Sequence, residues 1–65
     1  MSTIGKNIKR LRKEKAISQD KLSKLADLSL NTIVKLELDQ SPNPTFETLK
    51  KIAKALNISL DDLVK

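Results

Sequence analysis

The stretch from Ser18 to Glu37, SQDKLSKLADLSLNTIVKLE, restricts the fold more than any other part of this chain. It reads as two short helices joined by a tight turn. Ser18 and Ser29 each stand where a side-chain oxygen can accept a hydrogen bond from the first free backbone N–H groups of a helix. Leu22, Leu25 and Ala26 share a face of the first helix, Ile33 and Leu36 share one on the second, and Leu28 fills the turn. Helices this short are marginal alone, because starting a helix orders more backbone than a few hydrogen bonds return. The remaining residues must therefore hold the pair, and the second helix keeps one face directed outward.

The flanking segments supply the support. Ser2 or Thr3 caps a first helix running to about Glu14, with Ile4, Ile8 and Leu11 inward and Lys6, Lys9, Arg10 and Lys13 on solvated positions. Arg12 borders the apolar stripe and is the basic residue expected to be partly buried. Ala16-Ile17 connects, with Ile17 dropping into the core. After Leu38 the run LDQSPNP cannot continue a helix, since Pro42 and Pro44 force an extended path. Thr45 caps a fourth helix with Phe46, Leu49, Ile52, Ala53 and Leu56 inward and Lys50, Lys51 and Lys54 outward. Asn57 stops it. Ser59 opens a short fifth helix, Asp62 completes a capping box, and Leu60 and Leu63 close the core. No segment alternates with period two, so an all-α fold of five short helices around one core is predicted, as a single domain over residues 1–65.

Composition narrows the functions open to such a chain. Its 65 residues hold no Cys and no His, which removes disulfides and the usual zinc or iron ligands. No apolar run reaches membrane-spanning length and no signal-peptide core is visible, so the cytoplasm is the default expectation. No nucleophile–base pair, acidic metal cluster or Gly-rich phosphate loop stands out; neither enzymatic activity nor a cofactor or small-molecule ligand is expected. The net charge of +5 is uneven. Residues 1–35 carry nine Lys/Arg against three Asp/Glu, a net +6, whereas residues 36–65 carry four against five, a net −1. A polyanion would meet the first half of the chain. Lysine-rich helix surfaces also serve solubility alone, so charge by itself leaves both readings open.

The ordered set Ile8-x-x-Leu11-Arg12, Ser18-Gln19-x-x-Leu22, Leu28-Ser29-x-x-Thr32-Ile33-x-Lys35-Leu36-Glu37, Asn43-Pro44-Thr45 and Leu49-x-x-Ile52-Ala53-x-Ala55-Leu56 resembles the Cro/C1-type, phage-repressor-like helix-turn-helix family. The resemblance spans about residues 8–63, with the helix-turn-helix at 18–37. It implies a lambda-repressor-like domain that reads double-stranded DNA with helix 29–36 in the major groove, as a homodimer on a symmetric site. Leu30, Asn31 and Lys35 match base-reading positions. Asn31 suits adenine; Lys35 suits guanine, a phosphate, or plain solvent. Gln19, Ser29, Thr32, Asn43 and Thr45 match positions that contact the DNA backbone, and the resemblance also implies that Gln19 braces the reading helix, although surface, capping or within-helix roles suit the same residues. The resemblance also implies a bidentate pair between Arg12 and Glu37.

The chain departs from the family pattern in two respects. Leu30, Val34 and Leu38 fall on adjoining positions of one stripe away from Ile33 and Leu36, where relatives commonly carry polar or basic residues. Three readings compete: packing on thymine methyl groups, favoured for Leu30; binding of another protein; or an inward fold of Leu38 beneath the loop, favoured for that residue. Ala16, Asp27, Asp39 and Asn57 stand where relatives often have Gly. The alternative to a DNA-reading regulator is a protein-interaction module on the same fold, antitoxin-like or an anti-regulator subunit, using the Leu30/Val34/Leu38 stripe. A dimer surface is expected near the fifth helix, at Leu60, Leu63 or Val64.

Overall fold

The computed structural model describes residues 4–40 and 44–65, so the expected cap at Ser2 or Thr3 and the roles of Pro42 and Asn43 lie outside the described residues. Five helices follow in order: α1 (Ile4–Glu14), α2 (Gln19–Ala26), α3 (Leu30–Glu37), α4 (Phe46–Leu56) and α5 (Leu60–Val64). No strand occurs among the described residues.

Each helix from α2 to α5 begins in the same way. Ser18, Ser29, Thr45 and Ser59 hold extended backbone, and their side-chain oxygens accept from the N–H groups of Lys21, Thr32, Thr48 and Asp62 at 3.0–3.1 Å. Each cap satisfies a donor that the helix cannot. At α5 the Asp62 carboxyl is held below its usual range, chiefly by its hydrogen bond with the Ser59 side chain and then by Lys65.

The helices also stop in the same way. Ala16, Asp27, Asp39 and Asn57 take φ of 56°, 57°, 57° and 58°. Their N–H groups bond the carbonyls of Lys13, Lys24, Leu36 and Lys54. The next N–H in each case reaches five residues back, from Ile17 to Arg12, Leu28 to Ser23, Gln40 to Lys35 and Ile58 to Ala53. This paired arrangement closes the orphan carbonyls of a helix end. Ile17, Leu28 and Ile58 then pack against the core, whereas Gln40 is exposed. Three helix ends are thus pinned by an apolar residue, while α3 ends at the surface. Left-handed backbone costs about 1–2 kcal/mol for a residue with a Cβ, and Gly returns about 0.4–1 kcal/mol of that through the freer unfolded chain. Ala16→Gly is therefore expected to stabilise the fold by about 0.5–1 kcal/mol. A lowered melting temperature in calorimetry would contradict this.

Ile8, Leu22, Ile33, Ile52, Leu56 and Leu63 are wholly buried, with Leu11, Ala26, Leu36 and Ala53 close behind. α2 packs on α3 and α4, α1 on α3 and α5, and α4 on α5, so every helix reaches the same core. Asn7 fastens the chain's two ends: its Nδ2 donates to the carbonyls of Leu63 at 2.8 Å and Lys65 at 3.2 Å.

Three residues expected inside lie outside. Leu25 is 50% exposed; α2 turns Leu22, Ser23 and Ala26 inward instead. α2 is wedged between α3 and α4, and small Ser23 and Ala26 allow that approach. The Ser23 hydroxyl donates to the Asp20 carbonyl at 2.7 Å, so its burial leaves no unmet hydrogen bond. Phe46 is 62% exposed, because it opens α4 at the rim of the core; the Lys50 ammonium lies 5.4 Å from its ring centroid. Leu38, expected to fold inward, is 59% exposed, since it continues α3 on the side opposite Ile33 and Leu36.

Candidate nucleic-acid interface

The site is built on α3, whose two faces divide cleanly. Ile33 and Leu36 are buried against α1 and α2. At about 100° per residue, Leu30, Val34, Leu38, Asn31 and Lys35 follow one another around a sector of about 140° on the other side. Leu30, Asn31, Lys35 and Leu38 are exposed and Val34 is half-buried. Of the three positions matched to base reading, all project from this free sector. Among the described residues, the side chains of Asn31 and Lys35 have no hydrogen-bond or ion-pair partner. Their polar groups are left to water or to a ligand.

A buried polar cluster sets how α3 lies on the rest of the molecule. Arg12 of α1 faces Glu37 at the end of α3, its Nε donating to Oε2 at 2.7 Å and its Nη2 to Oε1 at 3.0 Å. The third guanidinium nitrogen, Nη1, donates to the Ile17 carbonyl at 2.9 Å. Gln19, at the first turn of α2, adds its Nε2 to Glu37 Oε1 at 3.1 Å. The Arg12 and Glu37 side chains are only 10% and 2% exposed. The hydrogen bond to Glu37 raises the Arg12 pKa against the opposing effect of burial, so the cation is firmly held. α1, the first turn of α2 and the last turn of α3 are thereby joined through one carboxylate.

The other nominated residues sit at helix starts. Ser29 and Thr32 share a hydrogen bond between hydroxyls at 2.8 Å at the head of α3. Thr45 occupies the head of α4, where its hydroxyl donates to Thr48 Oγ1 at 2.9 Å. Asn43 lies outside the described residues. Gln19 makes no separate surface contact; its amide is turned to Glu37. Exposed ion pairs hold some of the remaining basic residues, Arg10 with Glu14 at 3.1 Å and Lys24 with Asp20 at 3.0 Å.

Sequence reasoning missed Gly5. A Cβ there would fall on the Leu36 carbonyl oxygen and lie 2.6 Å from Asp39 Oδ1, so α1 crosses the end of α3 with no room for a side chain. The sole glycine of a chain, placed inside a helix where Ala is preferred, was the available signal. Gly5 thus sets the closeness of α1 to α3 and the Arg12 cluster sets their register.

Comparison with known proteins places this geometry. The family described as a helix-turn-helix domain matches residues 5–65. The chain is 37% identical over 62 residues to the immunity repressor protein of Bacillus phage phi105, covering 95% of this chain and 42% of that protein. It is 31% identical over 61 residues to the HTH-type transcriptional regulator SinR of Bacillus subtilis, covering 94% and 55% respectively. The chain therefore spans about half the length of these curated relatives. Among solved structures it is similar to the N-terminal DNA binding domain of SinR, with a TM-score of 0.91 at 30% identity over 97% of this chain and 91% of that one. The restriction-modification controller protein C.AhdI from Aeromonas hydrophila gives a TM-score of 0.89, also at 30% identity, over 94% and 91%.

Proposed function

This chain belongs to the Cro/C1-type helix-turn-helix family, and from that premise we propose that it is a transcriptional regulator binding double-stranded DNA sequence-specifically through α3 in the major groove. The observation that carries the reading is the free sector of α3. It presents Leu30, Asn31 and Lys35 from a helix that the Arg12–Glu37–Gln19 cluster ties to α1 and α2. The major groove admits a helix of this kind, and its donors and acceptors distinguish all four base pairs. Asn31 pairs with adenine N6 and N7; Lys35 donates to guanine or to phosphate. Gln19, Ser29, Thr32, Asn43 and Thr45 anchor the DNA backbone: Ser29, Thr32 and Thr45 are supported by their places in the first turns of α3 and α4, where free N–H groups favour anions, and Gln19 and Asn43 by their match to the family pattern. The +6 charge of residues 1–35 supplies the attraction.

The regulator acts as a homodimer on a symmetric operator, its two α3 helices about 34–36 Å apart. The surface around α5 favours this arrangement. Val64 is exposed there, and a groove of about 460 Å³ beside it has Ala53, Ile58 and Leu60 in its lining together with Lys50, Lys51, Lys54 and Asn57, so a second copy would meet both apolar and basic groups. Leu63 belongs to the core and is unavailable to a partner. The exposed leucines of α3 support the second reading, an interaction module that uses that stripe on another protein.

Selection of bound duplexes from a random pool, followed by titration at several salt concentrations, separates the two readings. A groove binder yields a two-fold symmetric consensus and a log–log salt slope near −0.9 per phosphate neutralised. Binding that ignores salt, or no binding at low salt, would falsify the DNA reading. Asn31→Ala is expected to cost about 1–3 kcal/mol on the preferred duplex and to relax preference at one or two base pairs. An unaltered consensus removes Asn31 from the reading set.

A further inference from the structure

We propose that the outward sector of α3 recognises the C5 methyl group of pyrimidines in the major groove, so that thymine and 5-methylcytosine are read alike. This rests on the DNA-reading assignment above and deepens it. Leu30 and Leu38 are 44% and 59% exposed, and half-buried Val34 joins them into one stripe. Asn31 and Lys35 border that stripe on the same free sector of the helix. One ligand therefore meets the apolar and the polar residues together.

Leucine neither donates nor accepts a hydrogen bond, so phosphates and the polar edges of bases offer it nothing. The C5 methyl is the apolar group that pyrimidines display in the major groove. Thymine carries it and ordinary cytosine does not. The neighbouring polar residues fit the partners of such bases. Adenine, opposite thymine, presents N6 and N7 to a carboxamide such as that of Asn31. Guanine, opposite cytosine, presents O6 and N7 to an ammonium such as that of Lys35. A methylated cytosine in a C·G pair joins the methyl to the guanine edge, so affinity for a site of this kind rises when its cytosine is methylated. Leu30 lies in the first turn of α3, the part of a reading helix that approaches base edges.

The test begins with the duplex selected from the random pool. Each thymine is replaced singly by deoxyuridine, which deletes the methyl and leaves the Watson–Crick face untouched. In a second series, cytosine and 5-methylcytosine are compared at the same positions. Deoxyuridine is expected to weaken binding about fourfold at one or more positions in each half-site, the factor carried by burial of one methyl-sized group. At those positions 5-methylcytosine is expected to bind about fourfold tighter than cytosine. Both differences should vanish in Leu30→Ala or Leu38→Ala, which alter exposed residues and leave the circular dichroism spectrum unchanged. Equal binding of thymine and deoxyuridine duplexes at every position overturns methyl recognition while DNA reading stands, and so do methyl effects that persist in both leucine variants. A chain that binds no duplex at low salt overturns both.

Discussion

Replacing Arg12 by Ala is expected to destabilise the fold by about 3–5 kcal/mol, because the Glu37 carboxylate stays buried with only the Gln19 amide beside it. A small domain of this size has a total stability of only about 3–10 kcal/mol, so the variant lies near unfolding at room temperature. Chemical denaturation measures the loss. Arg12→Lys should fall between wild type and Arg12→Ala. An ammonium keeps the charge but cannot present the planar fork that serves both Glu37 oxygens and the Ile17 carbonyl together. The decisive variant removes both charges. With Arg12→Met and Glu37→Leu together no ion is stranded, and most of the lost stability should return. If the double variant is as unstable as Arg12→Ala, the cost lies in lost packing around the guanidinium rather than in an abandoned carboxylate. On DNA, the folded double variant should bind more weakly than wild type. The register of α3 would then rest on apolar packing alone, without the joint that ties it to α1 and α2.

Gly5→Ala is expected to destabilise the protein by about 1–2 kcal/mol, against the usual direction for a helical glycine. Ala would improve helix propensity by roughly 0.5–1 kcal/mol. Its methyl, however, falls on the Leu36 carbonyl and against the Asp39 carboxylate. Asp39 can rotate away. The carbonyl can retreat only if the end of α3 moves, at a cost of about 1–3 kcal/mol typical of overpacking. The melting temperature should drop by about 4–8 °C for each kcal/mol lost. A rise would mean that α1 and α3 stand further apart than this packing requires. The shift should also weaken DNA binding, because the displaced backbone is that of the helix proposed to read the major groove.

The helices of this protein were legible because their boundaries are written locally. A Ser or Thr ahead of each of α2 to α5 supplies a cap within three residues, and that chemistry works wherever the helix lies in space. The left-handed stop at Asn57 is of the same kind, a short-range property of one residue and its backbone. The free sector of α3 was legible for a related reason. Two buried residues, Ile33 and Leu36, define the inner face of a helix once its period is known.

What stayed hidden depends on neighbours distant in the chain. Leu25 is as apolar as Leu22, yet half of it faces solvent, because α3 and α4 close on the side of α2 that carries Ser23 and Ala26. Phe46 suits a core by composition, but it begins α4 beyond the core's edge and shelters beneath Lys50 instead. Leu38 was expected under a loop, and the structure leaves it beside Leu30 on the outward face. The crossing at Gly5 depends on where α3 ends relative to α1, which neither helix encodes alone.

By itself, then, the amino-acid order determined the five helices of the described residues, the starts of α2 to α5, and the face of α3 left without a partner. Caps, turns and helical periodicity act over a few residues and are indifferent to tertiary context. Only the tertiary structure decided which apolar residues remain outside, how closely α1 approaches α3, and that Gln19 shares the Arg12–Glu37 pair. Burial and distance arise when helices meet at particular angles, and those angles are set by the packing of all five together.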